Sequence, residues 1–86
     1  MPRALSIQRS IIPAGNRAEY FVRLKSRRDY YAQAKCKFWV FEEAALPGAF
    51  IEFTESADPD TLVAAHAAAP EPVLDPSRIY AEVELS

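Results

Sequence analysis

From Ala4 to Ile12 the chain alternates in character. Leu5, Ile7, Arg9 and Ile11 share one side of an extended segment, and Ser6, Gln8 and Ser10 share the other. Alternation over this length predicts a strand with one apolar face, and the apolar set is expected to turn toward whatever covers the sheet. Pro13 and Gly15 then punctuate a turn. Asn16 followed three residues later by Glu19 has the form of a capping box, so a helix is expected from Arg17 to about Ala34. At about 100° per residue, Tyr20, Leu24 and Tyr31 fall on one stripe with Phe21 on its flank. Glu19 and Arg23 stand four apart with the acid first, the favourable order for a helical ion pair.

The next segment breaks the rule of alternation. Cys36 to Phe41, "CKFWVF", is apolar on both of its faces, and a second apolar run follows the turn "LPGA". Pro47 and Gly48 suit positions i+1 and i+2 of a type II turn, which predicts a hairpin whose second strand covers roughly Ala49 to Glu55. Phe38 and Val40 then point one way and Trp39 and Phe41 the other, with Phe50 and Ile51 split likewise. In "ADPDTLVAAHAAAP", Asp58 can cap a helix, Pro59 fits its first position and Asp60 complements its dipole. Leu62, His66 and Ala69 share one face of that helix, with Ala65 beside them. Pro70 and Pro72 end it and open a linker, "PEPVLDPSR". The closing "IYAEVELS" alternates again, Ile79, Ala81, Val83 and Leu85 against Tyr80, Glu82 and Glu84.

The order β-α-β-β-α-β predicts a single α+β domain over residues 1–86: a ferredoxin-like sandwich, with a four-stranded antiparallel sheet and both helices on one face. Its other face is then bare, and large apolar patches on bare faces mark contact sites. The first and last strands are expected to put Ser6, Gln8, Ser10, Glu82 and Glu84 there. The hairpin cannot comply, because either orientation leaves large aromatics in water, at roughly 1.5–3 kcal/mol each. An isologous homodimer, sheet against sheet, resolves the conflict.

Composition narrows the function classes. The formal net charge of the 86 residues is −2, which argues against nucleic acid as a partner. No apolar run approaches the roughly 20 residues of a membrane span, and the first residues lack a secretory signal's apolar core, so a cytoplasmic protein is expected. Cys36 is the one cysteine, which fits a small buried side chain better than a reactive thiol. With two glycines there is no phosphate-cradling loop, and no ligand set for a metal is visible.

With this order of elements, an aromatic hairpin and the helical segment "AAHAAAP", the chain resembles the dimeric α+β barrel superfamily, and within it small proteins of the antibiotic biosynthesis monooxygenase type. The resemblance in fold spans nearly the whole chain; the His–Pro segment spans seven residues. Many members carry a further His after that Pro, where this chain has Glu71. The resemblance implies cofactor-independent oxidation of polycyclic aromatic or quinol-like substrates, and in one branch haem degradation. Haem-degrading members use an Asn on the first strand and a Trp on the third. Here the first strand offers Gln8, the third Phe50 and Phe53, and Trp39 lies on the second, so haem is not expected and no cofactor is assigned.

Five residues form the candidate site. His66, the one histidine, lies on the apolar face of the second helix, where it can act as base or proton donor, or be a core histidine bonded to backbone or a hydroxyl. Arg28, at the edge of the first helix's stripe, can hold an anionic or enolate oxygen, or can snorkel into water. Arg27 on the opposite flank is expected to be solvated. Arg9 interrupts an apolar face and needs a carboxylate or water: it either joins His66 in a cleft or pairs with a glutamate at the sheet's end. Tyr31 and Trp39 can wall a flat aromatic ligand or can simply be core. Two readings follow: a homodimeric monooxygenase-like enzyme acting on a small aromatic or quinone-like ligand, or a non-catalytic homodimer that binds a small ligand or a protein. A third is a homodimer with no ligand at all.

Overall fold

The computed structural model describes residues 2–71, 73 and 76–85. The elements are β1 (Ala4–Ile11), a 3-10 turn (Ala14–Asn16), α1 (Arg17–Gln33), β2 (Lys37–Glu42), β3 (Ala49–Ser56), α2 (Pro59–Ala67) and β4 (Ile79–Ala81). The strands form one four-stranded sheet in the order β2-β3-β1-β4. Every neighbouring pair is antiparallel. This is the ferredoxin-like arrangement that the element order predicts.

Local chemistry sets several boundaries. Asp58 caps α2, its carboxylate accepting from Thr61 N at 2.8 Å and from Thr61 Oγ1 at 2.9 Å, and Pro59 occupies the first turn. The hairpin turn closes through Ala49 N to Leu46 O at 3.1 Å, with Gly48 at φ +92°, as a type II turn requires. Gly48 is also pressed against β1. Ile12 N donates to Gly48 O at 2.8 Å, and a Cβ on Gly48 would stand 2.9 Å from Ile12 O. Arg17 binds Glu42 through both terminal nitrogens, at 2.8 and 3.0 Å, and Gly48 N donates to the same carboxylate at 2.9 Å. These bonds hold the Glu42 carboxyl down at about 2, Arg17 first and the Gly48 amide second. At its other end α1 closes in a Schellman motif, Cys36 N to Tyr31 O at 2.8 Å and Lys35 N to Ala32 O at 3.3 Å, with Lys35 in the left-handed region at φ 65°.

Four expectations about the elements change. Asn16 makes no side-chain cap bond, because the 3-10 turn ahead of it already carries the chain into α1. The Glu19–Arg23 ion pair does not form among the described residues. β4 ends at Ala81, since its register runs it past the start of β1: Ala4 pairs with Ala81, and Glu82 N reaches Arg3 O at 2.8 Å. Val83 and Leu85 stand exposed beyond it. Glu82 therefore lies beyond the strand, off the bare sheet face, and is ion-paired to Arg3 at 2.6 Å. Of the linker, Pro72, Leu74 and Asp75 lie outside the described residues, as does Ser86 at the end of the last segment.

The largest correction concerns which face is inside. Ala4, Ser6 and Gln8 are buried beneath the helices, whereas Leu5 and Ile7 are half-buried and Arg9 and Ile11 exposed on the far side. β3 behaves the same way, with Phe50, Glu52, Thr54 and Ser56 inside. The apolar core is correspondingly small: Ala4, Tyr31, Cys36, Leu62 and Ala65, with Tyr30, Ala34, Phe38 and Ile79 packed against it. A second aromatic group, Tyr20, Phe21 and Phe50, closes the other end, with the Arg17 guanidinium 4.7 Å from the Phe21 ring centre.

Candidate functional site

A polar sheet face is stable under helices only if the helices return hydrogen bonds to it. They do. The register sets Ser6 opposite Thr54 and Gln8 opposite Glu52, so two polar rungs cross the centre of the sheet. Over the first rung α2 places His66. Its Nε2 lies 2.7 Å from Ser6 Oγ and its Nδ1 2.7 Å from Tyr31 Oη. Burial pushes the imidazole below its ordinary 6.5 and the Tyr31 phenol up to about 12, so both are neutral at pH 7. Either tautomer satisfies both rings: one nitrogen donates to a hydroxyl, and the other hydroxyl donates to the second nitrogen. His66 therefore has no free nitrogen for a ligand, but it joins β1 to α1 by a continuous proton path.

Over the second rung α1 places Tyr20 and Arg27. Tyr20 Oη donates to Glu52 Oε2 at 2.9 Å, and Arg27 Nη1 donates to Glu52 Oε1 at 2.7 Å. Glu52 is 4% exposed, so its charge is held by two donors in a poorly solvated site. Burial, helped by the Glu52 charge, pushes the Tyr20 phenol up to about 12 and keeps it a donor. Arg27 also reaches Glu71 at 3.4 Å. Beside this cluster, between β1 and α1, lies a cavity of about 170 Å³. Its floor is Gln8, Glu52 and Tyr20, all buried, and its rim carries Arg9, Arg23 and Val73. A neighbouring cavity of about 240 Å³ shares Arg23 and Arg27 and extends over Tyr30 and Tyr31 to Glu71.

The five residues expected to form one site are divided among three places. His66 and Tyr31 are together, in hydrogen-bond contact inside the sandwich. Trp39 lies on the outer sheet face, stacked on Phe53 with ring centres 6.1 Å apart. Arg9 lies on that outer face opposite Ile51 and beside Phe41, and also borders the cavity at the edge of β1; it meets neither His66 nor, among the described residues, a glutamate. Arg28 stands on the exposed side of α1 beside Asp29, at 3.3 Å, away from the apolar stripe. Its place is taken by Arg27, which was expected in solvent and is instead folded over Glu52. Ser6, Arg27 and Glu52 are thus the interior residues that the pattern of the chain did not nominate, whereas Tyr20 lies inside as its place on the helical stripe predicts.

Compared with known proteins, the chain matches no family model, no curated protein and no solved structure. The geometry alone therefore carries the functional reading. Among the described residues no group of three or more His, Cys, Asp or Glu is placed to hold a metal ion, and no helix is long and apolar enough to cross a membrane.

Proposed function

We propose that this protein is a homodimeric small-ligand-binding module. Two copies join through their outer sheet faces, and each takes a ligand between sheet and α1. One observation supports both halves: the sheet turns its polar face inward and its apolar face outward. On the outer face Trp39, Phe53 and Ile7 stand in one row of the register, with Phe41 and Ile51 in the next. Phe41 is 55% and Ile11 71% exposed. Uncovered, this row costs several times the roughly 1.5–3 kcal/mol that each large apolar side chain returns on burial. The same face on a second copy is self-complementary by symmetry. Inside, a layer of charged and hydroxylated groups replaces the apolar packing that would serve stability better, and a cavity adjoins it.

The test is sedimentation of the native protein at micromolar concentration, followed by mass spectrometry of small molecules released on denaturation. A monomer mass would remove the assembly. A dimer that releases nothing and takes up no small molecule would remove the ligand role.

The enzymatic alternative is a cofactor-independent, monooxygenase-like reaction on a flat aromatic or quinone-like substrate. It is favoured by the neutral chain Ser6–His66–Tyr31, which can pass a proton toward the cavity over Tyr31. Oxygen uptake with a hydroquinone, abolished in His66→Gln, is its readout.

A further inference from the structure

The cavity between β1 and α1 is unevenly charged. Among the described residues three arginines, Arg9, Arg23 and Arg27, lie around it against one carboxylate, Glu52. Arg27 is committed to Glu52 and Glu71. Arg9 and Arg23 have no ion-pair partner among the described residues, and both are exposed. Ser10 Oγ is sheltered from solvent on the wall. It lies near enough to Tyr20 to ease the ionisation of that phenol, yet among the described residues it has no partner in hydrogen-bond geometry. A buried hydroxyl left without a partner costs about 1–3 kcal/mol and calls for an explanation.

Resting on the reading of this cleft as a ligand site, we propose that its ligand is a small organic monocarboxylate with a body of one ring or less. The carboxylate sits at the rim between Arg9 and Arg23, and the body enters toward Ser10. Size sets the first limit, because an apolar cavity of about 150 Å³ holds a benzene ring and this one is about 170 Å³. Charge sets the second. Two uncommitted arginines attract an anion, and a planar carboxylate fits the guanidinium fork. Glu52 on the floor opposes a second negative charge, which disfavours a dianion. The Val73 side chain and the ring of Tyr20 give the body apolar contact that an inorganic anion would not use. Ser10 supplies a sheltered hydroxyl without a hydrogen-bond partner among the described residues.

The experiment is a titration of the native protein with three probes of one shape, benzoate, benzamide and benzamidine, followed through the backbone amide resonances of Gln8 and Ser10. Benzoate is expected to bind with an affinity that falls as salt rises. Benzamide is expected to bind at least about 10-fold more weakly and benzamidine not at all. Arg23→Gln, a change at an exposed residue without an ion-pair partner among the described residues, should lower benzoate affinity at least about 5-fold with no loss of stability. Ser10→Ala should weaken benzoate binding while leaving the free protein as stable or more so, which a hydroxyl serving only the fold would not do. Equal binding of benzoate and benzamide, or preference for benzamidine, overturns the monocarboxylate and leaves the ligand cleft standing. If no probe shifts either resonance, the cleft and its ligand fall together.

Discussion

Arg27 Nη1 lies 2.7 Å from Glu52 Oε1, and the two are joined across the sandwich from α1 to β3. The carboxylate is almost wholly buried, while a quarter of the arginine side chain remains accessible. Removing the arginine would leave the buried Glu52 side chain with the Tyr20 hydroxyl as its hydrogen-bond donor. Loss of one partner of a fully buried pair costs about 3–5 kcal/mol. Because water can reach the Arg27 side, Arg27→Ala is expected to cost about 2 kcal/mol, with Arg27→Lys recovering part of it. Urea unfolding with an unchanged slope reads this directly. A loss below about 0.5 kcal/mol would mean that the pair contributes no more than a surface bridge.

His66 gives the protein an acid sensitivity of predictable sign. Its folded pKa lies below the ordinary 6.5, so the unfolded chain binds a proton that the folded one refuses. Stability is therefore complete above about pH 7 and declines as pH falls from 6.5 toward the lowered folded value, then levels off. No other histidine is present to blur that window. Unfolding midpoints at about pH 7.5 and pH 5.5 should differ in the native protein and converge in His66→Gln. An equal slope in both proteins would assign the effect elsewhere.

The two positive-φ positions should respond in opposite directions. Lys35 holds φ 65° at the end of α1, where glycine carries no Cβ penalty, so Lys35→Gly is expected to stabilise by about 1 kcal/mol. For a domain of this size that raises the melting temperature by about 4–8 °C. Gly48→Ala meets both a strained φ of +92° and the Ile12 carbonyl at 2.9 Å, and should cost about 1–3 kcal/mol. Thermal melts of the two variants check the pair. A stabilised Gly48→Ala would show that the turn relaxes away from β1.

Element order, the Asp58 cap, the Pro47–Gly48 turn and the two-faced hairpin were legible because each depends on neighbours in the chain. The orientation of β1 was not. Leu5, Ile7 and Ile11 form its apolar set, and apolar sets ordinarily go inward; here that rule gave the wrong face. The clue lay in β3, where Glu52, Thr54 and Ser56 alternate against Ile51 and Phe53 in the same way. Two adjacent central strands with matched polar sets need polar caps, and the helices hold them in Tyr20, Arg27, Tyr31 and His66. Which helix residue meets which strand residue is a matter of tertiary register, so the Ser6–His66 and Arg27–Glu52 contacts could not be read from spacing. Arg27 and Arg28 differ by one helical step, and that step separates a buried ion pair from an exposed one.

Trp39 reports on the outer face, and it is the single tryptophan. It stacks on Phe53, which Phe41 meets edge-on at 5.7 Å, and it is 36% exposed within one chain. In a sheet-to-sheet dimer that remaining surface is covered, so the emission maximum at micromolar concentration should be blue-shifted and should move to the red on dilution. Phe53→Glu puts a charge in the middle of the apolar row, opposite Trp39 on one side and Ile7 on the other. Unpaired and buried, that charge disfavours association far more than folding of the single chain, where it can reach water. The variant should sediment as a folded monomer with a red-shifted emission that no longer depends on concentration. Emission independent of concentration in the native protein, together with a monomer mass, would leave the outer face uncovered and remove the dimer.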